Sequence, residues 1–397
     1  SDPDTAGRYR KVTYLDNTFT WTSYGCCGAE TVTNRDGSVT SYDYDSLGRQ
    51  FMQSTDGITR FNYYDSVGRL YSAVRQGTNG NQITLFTRGF DVWDRVIRST
   101  NAMLNVTSWA YLTNATTGGN LVIQTNADTG TIIQAYAIDG TLLKTTGTGV
   151  HPARTDYGVE QDAGVWRAYT KEIKLDAVFA DTSEWVKHYS DLVGRSYKTV
   201  FADGATNVSY FNAQGELWKR VDADGNITLA TNLNFNESYS VVDLDQDSGI
   251  DWSGPDRISK SVTDFTTSSL MGGNVSRTRS YEYASNGSSA ETLVSTSETS
   301  VDGLKQWSVA SGVTNKSQTV YATGGYRYVT NTAPDGAYAV SVTQKGRQLS
   351  VTLKDSLNNP LSATNYGYDA HGRINTETDA RNGTTTFTFN NGDQIVT

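Results

Sequence analysis

The acidic run Asp243-Leu244-Asp245-Gln246-Asp247-Ser248-Gly249-Ile250-Asp251 carries the most conspicuous chemistry in this sequence. Carboxylates at alternate positions of a glycine-containing loop can converge on one Ca2+, which takes about six to eight oxygens at about 2.3 to 2.6 Å. In EF-hand-like counting, positions 1, 3, 5 and 9 are Asp243, Asp245, Asp247 and Asp251, with Asp256 as a further ligand. The match is partial. Glycine falls at position 7 instead of 6, position 12 is Gly254 instead of Glu, and no flanking helices are expected. Ca2+ is thus the one cofactor the sequence suggests, set against a solvated acidic turn.

The only two cysteines are adjacent, in Gly25-Cys26-Cys27-Gly28. Consecutive Cα atoms lie about 3.8 Å apart, below the usual disulfide range, so a bond between these two would be strained. Two free thiols at a glycine-flanked bend, a vicinal disulfide and a bond to another chain all remain open. The three histidines, His151, His188 and His371, are far apart, and none sits in an HExxH or GxSxG context. Carboxylate pairs that cleave sugars need a spacing that sequence does not reveal. The chain is expected not to be an enzyme. Trp93, Trp109, Trp166, Trp185, Trp218, Trp252 and Trp307 could form a sugar-binding platform, but in a thin sheet such residues are expected to pack against neighbouring strands.

Positioning these residues is a repeat. Tyr44-Asp45-Ser46-Leu47-Gly48-Arg49 recurs as Tyr64-Asp65-Ser66-Val67-Gly68-Arg69, 20 residues on, with Asp56-Gly57 between them. A fixed period of this size is tested first, because it decides the architecture. Gly48 and Gly68 suit the positive φ of a tight reversal, and Asp-Gly between β-formers is a strong hairpin signal. Asp45 and Arg49 can pair across their turn, as can Asp65 and Arg69. The spacing persists: Gly37 to Gly48, Gly57 to Gly68 and Gly204 to Gly215 are each 11 residues. Degenerate copies stand at Phe90–Arg95, where Asp94 replaces Gly, at Ser190–Arg195 and at Phe211–Glu216, and a clear one at Tyr368–Arg373.

Strands are read at Lys11–Tyr14, Thr18–Thr22, Leu121–Thr125, Thr131–Ala137, Val165–Thr170 and Ile173–Phe179, and no stretch holds a helical period over three turns. The whole chain, 1–397, therefore reads as one continuous all-β segment. Clear repeats span 36–100, 186–240 and 360–397, and degenerate ones span 101–185 and 260–355. Residues 1–35 read as a lead-in. The lack of an initiator Met and the stop in mid-pattern at Thr397 suggest a piece of a longer polypeptide.

Composition bounds the partners. A net charge of −9 without a Lys/Arg cluster argues against nucleic acid or anionic membrane, and no apolar run is long enough to span a bilayer. With Tyr left out and Gly counted, apolar residues make about 40% of the chain, below the usual range of about 45 to 50%. That fits a sheet wetted on both faces better than a compact globule.

These YDxxGR cores and DG turns make the chain resemble the RHS or YD-repeat family. Its members include toxin-enclosing components of bacterial secretion and insecticidal (Tc) complexes, wall-associated surface proteins and teneurins. The resemblance implies repeated antiparallel hairpins wound into a curved, spiralling sheet, a segment of a hollow shell or tube. It further implies a structural role in a larger secreted or surface protein, enclosing cargo such as a toxin or displaying a surface, at an extracellular or cell-surface location. The partners implied are the rest of its own polypeptide or further copies, with enclosed cargo or a cell-surface glycan besides. One departure is clear: the only Asp-Pro, Asp2-Pro3, does not match the self-cleavage segment that closes toxin-bearing shells. The competing expectation is an adhesion or self-assembling fibre module whose open sheet edges pair with the next copy.

Overall fold

The computed structural model describes residues 2–115, 118–284 and 290–397. Among them are 33 strands and no helix, hence no helix long and apolar enough to cross a membrane. The chain is all-β, and the described ladders are antiparallel pairings of strands consecutive in sequence, such as Val39–Tyr44 with Gln50–Thr55 and Ile58–Tyr64 with Leu70–Gln76. It divides into two compact units. One comprises Ser1–Val106, Phe265–Arg277 and Ser295–Thr397; the other comprises Thr107–Asp264 and Thr278–Val294.

The turns explain the repeat. In Asp45–Arg49 the Asp45 amide donates to the Arg49 carbonyl and the Gly48 amide to the Asp45 carbonyl, both at 2.9 Å. Gly48 and Gly68 adopt φ of 75° and 94°, a region that excludes most side chains. Asn34–Ser38, which contains Asp36-Gly37, closes by the same two bonds. The YDxxGR turn and this DG turn are therefore one backbone loop, with Asp at the first position in one and at the third in the other. Asp56-Gly57 is a different turn. Both its residues have positive φ, 49° and 82°, and Thr55 pairs directly with Ile58, as in a two-residue hairpin loop.

A carboxylate locks the five-residue loop. Asp45 Oδ1 accepts the Leu47 and Arg49 amides at 2.9 and 3.0 Å, and Oδ2 accepts Arg49 Nε at 2.7 Å. The same Nε–Oδ2 bond, at the same length, joins Asp65 to Arg69, Asp91 to Arg95, Asp191 to Arg195 and Asp369 to Arg373. Asp94 replaces Gly with φ of 64°, as the sequence predicts for Asp. A further copy lies in the stretch read as a lead-in: Asp4-Thr5-Ala6-Gly7-Arg8 closes with Arg8 Nε on Asp4 at 2.7 Å. Its DxxGR pattern was visible, and only the missing Tyr hid it.

Five of these six locked arginines then reach forward by one period. Arg8 stacks over Tyr24, Arg49 over Tyr64, Arg69 over Phe90, Arg195 over Phe211 and Arg373 over Phe389, at 4.3 to 4.9 Å from the ring centroids. Arg95 instead covers Trp93 of its own turn at 4.9 Å. The arginine also donates to the next turn: Arg69 Nη1 to the Asp91 carbonyl, Arg195 Nη1 to that of Gly215 and Arg373 Nη1 to that of Asn390. In return, the repeat tyrosine donates its hydroxyl backward by one period. Tyr44 bonds the Ala29 carbonyl and Tyr64 that of Gln50, both at 3.0 Å, and Tyr368 bonds that of Gln348 at 2.9 Å. Tyr44 and Tyr64 thus make equivalent contacts within one unit, as the repeat requires.

In the first unit the last strands return onto the first. Arg75 forms a two-pronged pair with Asp393 at 2.6 and 2.8 Å, and the Thr78 amide donates to the Ala370 carbonyl at 2.9 Å. Arg35 lies over Tyr321 at 4.4 Å. From Arg35–Tyr321 to Arg75–Asp393 the order is preserved, a later part of the C-terminal run meeting a later part of the N-terminal run. In the second unit Ile227, Leu229, Tyr239, Val241 and Ile258 form a buried cluster. Outside it, buried apolar side chains are few and scattered, among them Ala73, Leu175 and Val275.

One strand expectation fails. Ile173–Phe179 is not a strand; Val165–Leu175 is continuous, and Asp176–Ala180 is a turn in which Asp176 accepts the Val178 and Ala180 amides. Phe179 takes φ of 63° there, so the loop forms without its glycine. The other strands match to within a few residues at their ends.

The locked aspartates predict an acid transition. Asp4 and Asp45 are held below the usual carboxylate range first by the amides of Arg8 and Arg49, against desolvation, with the guanidinium adding to the effect. At Asp369 desolvation is the largest influence and pushes upward, but the Arg373 amide and guanidinium together outweigh it. Folding lowers these values, so their stabilisation is complete above the unfolded value of about 3.9 and is lost as pH falls through the folded values. The melting temperature should be level from neutral pH to about pH 5 and fall steeply below about pH 4. A flat profile down to pH 2.5 would contradict the lock.

Candidate functional site

The acidic loop folds over the buried cluster of the second unit. Strand Glu237–Asp243 delivers Asp243 at its end, and strand Arg257–Thr267 follows Asp256. Trp252 anchors the loop between Tyr239, edge-on at 5.3 Å, and Tyr283 at 5.5 Å, while Ile250 packs on the same cluster. This aromatic insertion accounts for Trp252 by packing.

Two of the acids are staples. Asp243 is buried, and its oxygens accept the Gln246 and Ser248 amides at 2.7 and 2.8 Å. Those two residues have φ of 62° and 66°, unfavourable for side chains, and the Asp243 carboxylate holds them there. Asp256, only 2% exposed, accepts the Leu244 and Asp251 amides at 3.0 Å each. A buried carboxylate satisfied by two amides organises a loop without any metal.

The expected ligand set is partly assembled. Ligand oxygens of Asp243, Asp245 and Asp247 lie within 4.8 Å of one another, whereas Asp251 is not part of that group. Asp251 donates its amide to Asp256 and raises Asp245 by its charge. Asp245 sits above the usual carboxylate range, first through desolvation and then through the neighbouring acids Asp247, Asp243 and Asp251, while the Asp247 amide pulls the other way. Lys219 reaches the same loop, donating to Ser248 Oγ at 2.6 Å. The residues that fit a hard cation are therefore Asp245 and Asp247, with one oxygen of Asp243 shared with the backbone.

Two further polar clusters escaped sequence reasoning. In the second unit a cavity of about 600 Å³ is lined by Asp162, Arg167, Arg195, Tyr197, Lys198 and Tyr210, among others. Its groups answer one another: Tyr197 and Lys198 donate to Asp162 at 2.5 and 2.6 Å, and nearby Lys187 and Tyr189 both donate to Glu160. The available signal was the period of two that puts Glu160 with Asp162 and Lys187 with Tyr189 on matching faces. In the first unit a cavity of about 560 Å³ is lined by Arg60, Arg75, Lys345, Arg347 and His371, among others. His371 is only partly exposed. Desolvation, then the charges of Arg75 and Arg373, lower its pKa. His151 and His188 lie elsewhere, with His188 Nδ1 at 3.0 Å from Thr199 Oγ1. Trp93 and Trp166 are exposed, whereas Trp109 bonds Gln124 across the ladder.

If the loop takes calcium, 1 mM Ca2+ should raise the melting temperature relative to EDTA, because ligand at one hundred times Kd adds about 2.7 kcal/mol of stability. Equal melting temperatures would remove the metal. Asp256→Ala should destabilise by roughly 1 to 3 kcal/mol for each amide left unpaired, in either buffer, as read by urea unfolding.

No family model matches the chain, and no curated protein does. Solved structures of Tc toxin proteins show similarity. A TcdB2-TccC3-Cdc42 chain has a TM-score of 0.37 and 12% identity, over 98% of this chain and 24% of that one. A TcdB2-TccC3 chain has a TM-score of 0.32 and 11% identity, over 100% and 30%. A chain of the Photorhabdus luminescens Tc holotoxin pore has a TM-score of 0.30 and 10% identity, over 99% and 33%. The chain thus spans a quarter to a third of the length of these proteins.

Proposed function

We propose that the chain is a structural wall segment of the YD-repeat type, whose hairpins form a barrier that encloses cargo or presents a surface. The observation that carries this reading is the ordered return of the C-terminal turns onto the N-terminal turns of the first unit, at Arg35–Tyr321 and then Arg75–Asp393. A run of hairpins that doubles back in the same direction lays one course of wall on another. A fibre module has no need of that contact. The repeat residues also spend their polar atoms on one another, so the motif is scaffold and not a binding site. On this reading the rest of a longer polypeptide supplies the partner surface, the protein acts outside the cell or at its surface, and no catalysis is required.

The assembly reading draws on one feature. Strand Gly383–Thr386 is exposed along its whole length and pairs with Ile374–Asp379, leaving an edge that can template association. Mass photometry and negative-stain microscopy of the purified chain separate the two. Monomeric particles with a central void are expected, and filaments or open-ended oligomers would replace the wall with a fibre.

A further inference from the structure

The Cys26-Cys27 pair occupies the tip of a YD turn that has lost its lock. Tyr24-Gly25-Cys26-Cys27-Gly28-Ala29 precedes Tyr44–Arg49 by 20 residues and aligns with it position for position: Gly25 stands for the aspartate, Ala29 for the arginine, and the cysteines for Ser46 and Leu47. The frame around the turn is that of the other repeats. Tyr24 lies under Arg8 at 4.5 Å and donates to the Tyr9 carbonyl, and Tyr44 donates to the Ala29 carbonyl at 3.0 Å. Strand Phe19–Tyr24 pairs with Ala29–Thr33, with the register shift just before the turn that Val39–Tyr44 and Gln50–Thr55 also show.

What differs is the closure. In the locked turns a carboxylate accepts two amides and an arginine; here neither residue is present, and the Gly25 amide donates to the Gly28 carbonyl at 2.9 Å. A Cβ on Gly28 would fall 2.5 Å from the Tyr44 hydroxyl, so the base of the turn is pressed against the next repeat. At the tip the two Sγ atoms are 2.8 Å apart and both cysteines are exposed. Two thiols held this close, in reach of solvent and at a turn without an ionic lock, are placed to close on each other.

The structure assigns Cys26 and Cys27 as a reversible thiol-modification site that takes low-molecular-weight disulfides as oxidants and closes to a vicinal disulfide. One thiolate attacks a sulfur of the small disulfide, forming a mixed disulfide and expelling one thiolate. The second cysteine attacks the protein sulfur of that mixed disulfide and expels the other. The two cysteines give up two protons and two electrons, the small disulfide is reduced to two thiols, and one S–S bond replaces another. The Cα separation of about 3.8 Å strains the ring and makes it easily reduced, which is what reversibility requires. Cys27 is held above the usual thiol range, first by its contact with Cys26, then by desolvation and the charges of Cys26 and Asp45, so exchange accelerates as pH rises.

The test is intact and peptide mass spectrometry of the folded chain after exposure to glutathione disulfide at mildly alkaline pH, followed by acid quench. The wild type should lose two hydrogens, carry no glutathione and recover both thiols with dithiothreitol. Cys26→Ser and Cys27→Ser should each retain one glutathione, because the resolving thiol is gone. Retained glutathione on the wild type, unreacted thiols, or disulfide-linked dimers on a non-reducing gel would each overturn the assignment.

Discussion

The structure depends on one arginine performing three tasks. Its Nε fixes the aspartate that begins its own turn, as in Arg69 with Asp65, and its planar face covers the aromatic ring that begins the next, as in Arg69 over Phe90. The same guanidinium donates to the following turn's backbone at the Asp91 carbonyl. A point charge on a flexible stem could not hold all three, whereas a rigid fork with a stackable face can. The result is that successive hairpins are tied end to end along their turns as well as side by side along their strands. A sheet too thin to bury a large apolar core needs such ties.

The repeat decays in sequence faster than in structure because the backbone loop tolerates many residues. Asn101 and Asp176 accept the same two amides as Asp45, although Leu104 and Phe179 stand where glycine belongs. Asn212 and Glu216 keep the loop with the charges rearranged, the Asn212 amide donating to Glu216. An oxygen at the first position is the common element in these variants. It is not required, since Ala137–Thr141, Phe201–Ala205 and Ala333–Ala337 close by the same two backbone bonds without it.

The acidic loop illustrates how a metal-like pattern can arise from a folding requirement. Its alternation of aspartates invited a calcium reading, yet Asp243 and Asp256 each spend both oxygens on backbone amides, and Trp252 and Ile250 pin the loop to the core. What is left for a cation is the exposed pair Asp245 and Asp247 beside Asp243. The buried acids are the price of a long irregular connection crossing an apolar cluster, since each inward amide needs an acceptor.

By itself the sequence determined the hairpin chain: strand after strand, turns at a spacing of 9 to 11 residues, and the pairing of Asp45 with Arg49. Those contacts join residues a few positions apart, so composition and period suffice to reveal them. The stacking of Arg49 on Tyr64 is also one period long, but the sequence alone did not show whether the tyrosine serves its own turn or its neighbour's. Only the tertiary structure decided that Arg75 meets Asp393, that His371 sits in a cationic cavity, and that Asp243 and Asp256 point inward. The physical reason is that twist and curvature accumulate over many hairpins before distant turns meet. No local pattern records where that accumulation brings them together.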